Sequence, residues 1–225
     1  MNRFFFSFKS LLSGKKCHLV KYKKKNNKVI IHLKNGQTVI NPFFVPDIKV
    51  RFKGKNNTIE LFEPYSLEKS SFYLGNGDYF ILKHVQGNIR VQGGYKSFLF
   101  IDEDSTLQNT KIYLNSEKNV SCKIGKDCMF SNDVVIWASD THQIWDIKER
   151  SLLNQSQYGV EIGNHVWCGT RVTILKDSKI PSHSVVGAGS VVTNRFQDEH
   201  IIIAGNPAKI IKKNITWKRD EILIE

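Results

Sequence analysis

Cut every six residues from Ile162, the chain falls into one repeating pattern. Ile162, Cys168, Ile174, Ile180, Val186 and Val192 open successive hexads, and Val166, Val172, Ser178, Ser184 and Ser190 hold the fifth place. The register runs through Thr193 without an insertion. A helix would repeat its apolar positions every three or four residues and would not accept Pro181 and the glycines of this segment. The six-residue rhythm instead predicts a solenoid of stacked triangular coils, one hexad per side, with position one pointing into the prism and position five at the tight corner. Gly and Asn near the corners are expected to supply the unusual backbone conformations needed there.

A second hexad run covers residues 124–141, opened by Ile124, Phe130 and Ile136, and it is out of phase with the first. Between the two lies a polar and aromatic stretch from Asp140 to Tyr158 that obeys no hexad. An insertion of that length in a tight solenoid is usually functional. Further upstream the repeat decays into Asn- and Gly-punctuated strand patterns at 55–61, 87–91 and 109–114, read as irregular early coils. Apolar runs around Ile31 and Val39 flank Asn35-Gly36, a hairpin signal. After Thr193 a short apolar strand around Ile202 and a Gly205-Asn206-Pro207 turn suggest a cap over the open end of the stack. The expected division is an N-terminal extension with a β-hairpin at 1–48, a β-helix at 49–193 with a catalytic loop at 140–159, and a C-terminal cap and tail at 194–225.

Composition narrows the function classes. The 225 residues suit one main domain, and the apolar run at 4–8 is cut by Lys9, so neither a secretory segment nor a spanning helix is read there. A cytoplasmic protein is the expectation, with peripheral contact at the inner membrane surface left open. Four cysteines form no CxxC pair and have no histidine at metal-ligand spacing, so no metal site and no disulfide framework is expected. The formal charge of +12 would attract an anionic partner. Its lysines, dense at 15–34 and 49–55, come with no Arg/Gly tract or zinc-finger spacing, so nucleic acid is not the expected partner.

The segment 186–193 followed by 203–209 (Ile-Ala-Gly-Asn-Pro-Ala-Lys) resembles the closing signature of the hexapeptide-repeat acyltransferases. With Ser139-Asp140-Thr141-His142 before the loop and Ile162 to Trp167 after it, the chain is most similar to bacterial capsule and polysialic acid O-acetyltransferases. The resemblance implies an all-β, left-handed parallel β-helix; the winding sense comes from it alone. It further implies a homotrimer, acetyl-CoA as donor, and a sugar hydroxyl of a capsular or other surface polysaccharide as acceptor. A nucleotide-linked amino sugar or a small acceptor remains the alternative within the class. Outside it stand a catalytically silent β-helix scaffold and a nucleic-acid binder suggested by charge alone.

His142 matches the family's catalytic histidine. Histidine changes charge near neutral pH and can act as the general base for an acceptor hydroxyl. Asp140 is a candidate to orient that imidazole by a hydrogen bond, or a turn former. Trp167 corresponds to an active-site tryptophan whose indole N–H could bind the thioester carbonyl or its oxyanion, or whose ring could wall the acyl pocket. Cys168 holds hexad position one and is read as a buried small hydrophobe rather than a nucleophile. Cofactor contacts are expected from Trp167, from the small residues Gly169, Gly187 and Ala188, and from Thr193, Lys176, Lys209 and Lys212, the lysines meeting the CoA phosphates.

Overall fold

The computed structural model describes residues 17–22 and 26–220; the apolar run at 4–8 and the last residues of the expected tail lie outside them. Every regular element among the described residues is a strand, and no helix there is long and apolar enough to cross a membrane. The strands build three flat faces of a prism. On the first face Lys28–His32, Thr58–Phe62, Tyr79–Lys83, Phe98–Ile101, Ser121–Ile124, Val160–Ile162 and Lys179–Ile180 pair in parallel in that order. The second face stacks Met129–Phe130, Trp167–Cys168, Val185–Val186 and Ile201–Gly205. On the third, Ile48–Phe52, Ser70–Leu74 and the ends of Gln86–Gln92 and Thr106–Tyr113 lead to Val135–Trp137, Thr173–Ile174 and Val191–Val192.

Register explains which coils show the hexad. Ile162 pairs with Ile180, eighteen residues on, so each face receives one hexad. All six position-one residues of this run are buried, as are all five at position five. Ile124 pairs with Ile162, 38 residues on, and the twenty extra residues form the loop that throws the two runs out of phase. In the early coils Ile59 pairs with Phe80 and Phe80 with Leu99, coils of 21 and 19 residues with strands of four or five. Their interior is not wholly apolar. Asn27, Asn57, Asp78 and Ser97 are buried at one corner and bond upward in turn: Asn57 N–H donates to Asn27, Asp78 N–H to Asn57, and Ser97 N–H to Asp78. Each satisfies corner backbone groups that a buried position would otherwise leave unpaired.

The Asn35-Gly36 hairpin forms, with Ile30 opposite Ile40 and Gly36 at φ +81°. Its first strand is also the first rung of the stack, paired in parallel with Thr58–Phe62. The corners depart from expectation. In the regular run the left-handed backbone positions are held by His165, Arg171, Asp177, His183 and Gly189, only one of them glycine. Four of these are locked from outside: the N–H groups of His165, Arg171, His183 and Gly189 donate to carbonyls of the coil below. That coil-to-coil bonding offsets the roughly 1 kcal/mol or more of strain that a side chain suffers in this region.

The stack is closed by Ile201–Gly205, which extends the second face, and by Ala208–Lys213, which pairs antiparallel along it. The chain then turns back down a corner and straps several coils together. Trp217, 7% exposed, stacks on His165 with ring centroids 4.1 Å apart and donates its indole N–H to the His165 carbonyl at 2.9 Å. Arg219 donates to Asp127 Oδ1 at 2.7 Å, to Thr106 Oγ1 at 3.0 Å and to the Cys128 carbonyl at 2.9 Å. Trp217→Ala should therefore cost about 3 kcal/mol in a denaturation experiment, the usual range for a buried large aromatic.

Acid should release the strap. Burial pushes the Asp127 carboxyl up, but hydrogen bonds from His165 and Arg219 outweigh it and hold the group below the ordinary carboxylate range. A carboxylate depressed in the fold contributes stability above its unfolded value, near about 4, and loses that contribution as pH falls through the folded value. Amide exchange at residues 214–220 should accelerate below about pH 4 in the wild type, and Asp127→Asn should show fast exchange already at neutral pH.

Candidate active site

The twenty-residue loop leaves the corner between the third and first faces and is tied down at both ends. At its start, Asp140 Oδ2 accepts from Lys176 Nζ and from Asn154 Nδ2, each at 2.7 Å. Asn154 also donates to the His142 carbonyl at 2.8 Å, and its own carbonyl accepts from Lys176. Where the loop returns, Asp177 Oδ1 accepts from the backbone N–H groups of Gln157, Tyr158 and Gly159 at 2.7–3.0 Å and from Ser156 Oγ at 2.9 Å. Glu117 accepts from the Ser156 N–H at 2.8 Å. Asn154, Asp177 and Glu117 were not singled out by the sequence, because their roles depend on coils that meet only after folding; the one signal was Asp177's place at a hexad corner.

Between these anchors the loop forms a small hairpin. Trp145 bridges Leu152, Asp146 N–H donates to the Ser151 carbonyl, and Leu153 N–H to the Ile144 carbonyl. Its tip is apolar and bare: Ile147 is 93% exposed and Trp145 54%. His142 sits at the base of this hairpin, where its carbonyl accepts from Asn154; it is exposed, with its imidazole free of hydrogen bonds among the described residues. Asp140 accepts from Lys176 and Asn154 at the loop's root, and no hydrogen bond joins it to His142 among the described residues. The ammonium of Lys176, expected to meet the cofactor, is held by the Asp140 carboxylate and the Asn154 carbonyl.

Trp167 lies on a different face. It projects from the second face, 37% exposed, with its indole N–H 3.4 Å from Ser131 Oγ. Register carries its column through Val185 and Ile202 to Lys212. The adjoining column runs from Gly169 through Gly187 to Ala204 and Lys209. A Cβ on Gly169 would come within 2.9 Å of Ala188 Cα, and one on Gly187 within 2.9 Å of the Ala204 methyl. These glycines are thus required by the stacking itself, and they form a track of small residues that ends at the exposed Lys209, with the exposed Lys212 at the end of the Trp167 column. Thr193 and Lys176 stand elsewhere, after the third-face strands Val191–Val192 and Thr173–Ile174. The His142 loop thus springs from between third-face and first-face strands, whereas Trp167 stands on the second face.

Cys168 is fully buried, and burial pushes its thiol well above the ordinary range. Such a thiol is neither accessible nor ionised, so it is a core residue and not a nucleophile. Among the described residues no group of His, Cys, Asp and Glu is arranged to hold a metal ion.

No family model matches the chain. It is 36% identical over 171 residues to a polysialic acid O-acetyltransferase of Neisseria meningitidis, covering 67% of this chain and 76% of that one. A second polysialic acid O-acetyltransferase, from Escherichia coli O1:K1 / APEC, is 38% identical over 98 residues, 44% of this chain but only 31% of the relative's length. Among solved structures, the polySia-specific acetyltransferase NeuO superposes with a TM-score of 0.76 at 28% identity, covering 88% of both chains. The chain belongs to the polysialic acid O-acetyltransferase family, and its solenoid is the left-handed β-helix of that family.

The loop anchors can be tested directly. Asp177→Ala strands three backbone donors, and at roughly 2 kcal/mol of lost local stabilisation amide exchange at 156–159 should rise about thirty-fold with little change in melting temperature. Unchanged exchange there would remove Asp177 from the role given to it.

Proposed function

We propose that this chain is an acetyl-CoA-dependent O-acetyltransferase acting on a hydroxyl of an acidic surface polysaccharide, as a homotrimer whose active sites lie between copies. The observation that carries the reading is the division of the machinery: the His142 loop leaves one corner, while Trp167 and the small-residue track occupy the second face. A loop with Ile147 and Trp145 bare at its tip needs an apolar partner surface, and the neighbouring copy's wall is the surface that would complete the site. The cytoplasm, where acetyl-CoA is made, is the compartment this reading requires.

In that arrangement the imidazole of His142 takes the proton of the acceptor hydroxyl as its oxygen attacks the thioester carbonyl. The C–O bond forms, the tetrahedral oxyanion is met by the indole N–H of Trp167, and the C–S bond breaks. The proton held by His142 passes to the departing thiolate, leaving the base neutral for the next turnover. Attack is direct, since no accessible thiol stands beside the track. Lys209 and Lys212 meet the phosphates as charges, and Asp140, Asn154 and Lys176 keep the loop, and with it His142, at a fixed height on the prism.

His142→Ala should lower turnover on a polysialic acid acceptor by roughly two to four orders of magnitude while leaving the thermal shift produced by acetyl-CoA intact. The shared site makes a sharper forecast. Random mixed trimers of His142→Ala and Trp167→Ala chains should recover about a quarter of wild-type activity, because one interface in four joins an intact loop to an intact wall. No recovery on mixing would place both groups in one copy and overturn the arrangement.

A further inference from the structure

Away from the loop and the Trp167 wall, the third face of the early coils carries a second, strongly basic feature that the acetyl transfer itself does not use. Inward residues Val50, Phe72, Val91, Ile112 and Ile136 fill the core along this face, so their chain neighbours point outward. Two outward columns result. One runs Lys49, Ser71, Arg90, Lys111; the other runs Arg51, Tyr73, Gln92, Tyr113, Trp137. At the N-terminal end the columns line a cleft of about 700 Å³, walled on its other side by His18 and Lys21. No Asp or Glu is among its lining residues.

The basic groups there are ordered. The guanidiniums of Arg51, one coil below, and Arg90, one coil above, both lie over the Tyr73 ring, 5.9 and 5.4 Å from its centroid. Held this way, two planar forks face outward on coils two rungs apart, on either side of the Tyr73 coil, each able to take a carboxylate through two parallel hydrogen bonds. Lys49, Lys53 and Lys111 add charge around them, and no Asp or Glu stands on the paired strands of this face among the described residues. The column then passes to Tyr113 and Trp137, stacked at 4.1 Å and partly exposed, a platform for sugar-ring faces. Trp137 is three residues from Asp140, the anchored root of the catalytic loop. From Arg51 to Trp137 is four rungs, about 19 Å at the usual strand spacing.

We propose that this third-face strip is an acceptor-docking track: it binds an anionic polysaccharide through its carboxylates at Arg51 and Arg90 and leads the chain over Tyr113 and Trp137 to the catalytic loop. The proposal rests on the reading of the acceptor as an acidic polymer, and it adds where the polymer is held. Regular carboxylates at sugar spacing, rather than a continuous phosphate backbone, suit two ordered forks separated by coil-height steps.

The test separates docking from catalysis. Binding of polysialic acid to the full-length chain is measured without acetyl-CoA, by sedimentation or fluorescence, for the wild type, Arg51→Ala/Arg90→Ala, and the charge-matched control Lys123→Ala/Lys126→Ala, whose lysines lie exposed beyond this face. Expected are at least a tenfold weaker Kd for the arginine pair, no change for the control, and loss of binding for the wild type at high salt. In the transfer assay the arginine pair should raise KM for the polymer with kcat and the acetyl-CoA thermal shift unchanged. Tyr113→Ala serves as a second variant that leaves the charge intact and should weaken polymer binding several-fold. Equal loss in both double variants would reduce the strip to bulk charge and overturn the proposal. So would an arginine pair that binds normally, a change in oligomeric state caused by it, or tighter retention of single-stranded RNA than of polysialic acid. If polysialic acid binds as forecast but is never acetylated, the docking track stands and the proposed reaction falls.

Discussion

The structure depends on one constraint: each coil must close in a whole number of short strands so that its backbone bonds in parallel register to the coil beneath. Where the coil is eighteen residues, as from Ile162 to Ile180, every side chain has a counterpart directly above it and function can be written in columns. The inward columns are then forced to be uniformly apolar, and the corners uniformly tight. Even the left-handed corner residues His165, Arg171 and His183 are tolerated because the rung below accepts their N–H groups. Remove the stacking and those conformations have nothing to hold them.

The same constraint decides what was legible in the sequence. Residues 162–193 could be read as a solenoid because short strands and invariant coil length project the three-dimensional repeat straight onto the chain. The coils before Ser121 belong to the same prism, yet their length changes from 21 to 19 to 23 residues between successive first-face partners. Their corner interior is a polar ladder of Asn27, Asn57, Asp78 and Ser97 in place of valine or serine. No fixed period survives that variation. The loop's position and its histidine were visible as a break in the rhythm, whereas its anchors were not. Lys176 and Asp177 look like ordinary corner residues until folding brings them against the loop's two ends, 36 residues from Asp140 and about twenty from Tyr158. The ion pair of Asp140 with Lys176 was hidden for the same reason, since a lysine one coil away is invisible in sequence until the coils stack.

Columns also separate the tasks. The second face holds a tryptophan, a track of small residues and terminal lysines; the corner beyond the third face holds an exposed histidine on an arm; the lower third face holds ordered guanidiniums and stacked aromatics. None of these groups shares a column with another, so each can be set by its own rungs without repacking the rest. The C-terminal strap adds a further link, because Trp217 lies 6.1 Å from Trp167 while its neighbour Arg219 reaches down to Thr106. The wall that is read as the thioester site is thereby braced against four coils at once.

A twenty-residue insertion would be costly in most small folds, but here its two ends are fixed by strands that the stack already holds in place. Closing such a loop costs only the slowly growing entropy of its length, and Val135–Trp137 and Val160–Ile162 remain paired on both sides whether or not the arm is present. What must be supplied is precision, because a base a single ångström out of place can lose two orders of magnitude in rate. The carboxylates of Asp140 and Asp177 supply it by accepting from six donor atoms of Lys176, Asn154 and residues 156–159, all drawn from one coil and the loop itself. A rigid scaffold can thus carry a separately anchored arm with an exposed histidine without loosening the ladder on which everything else stands.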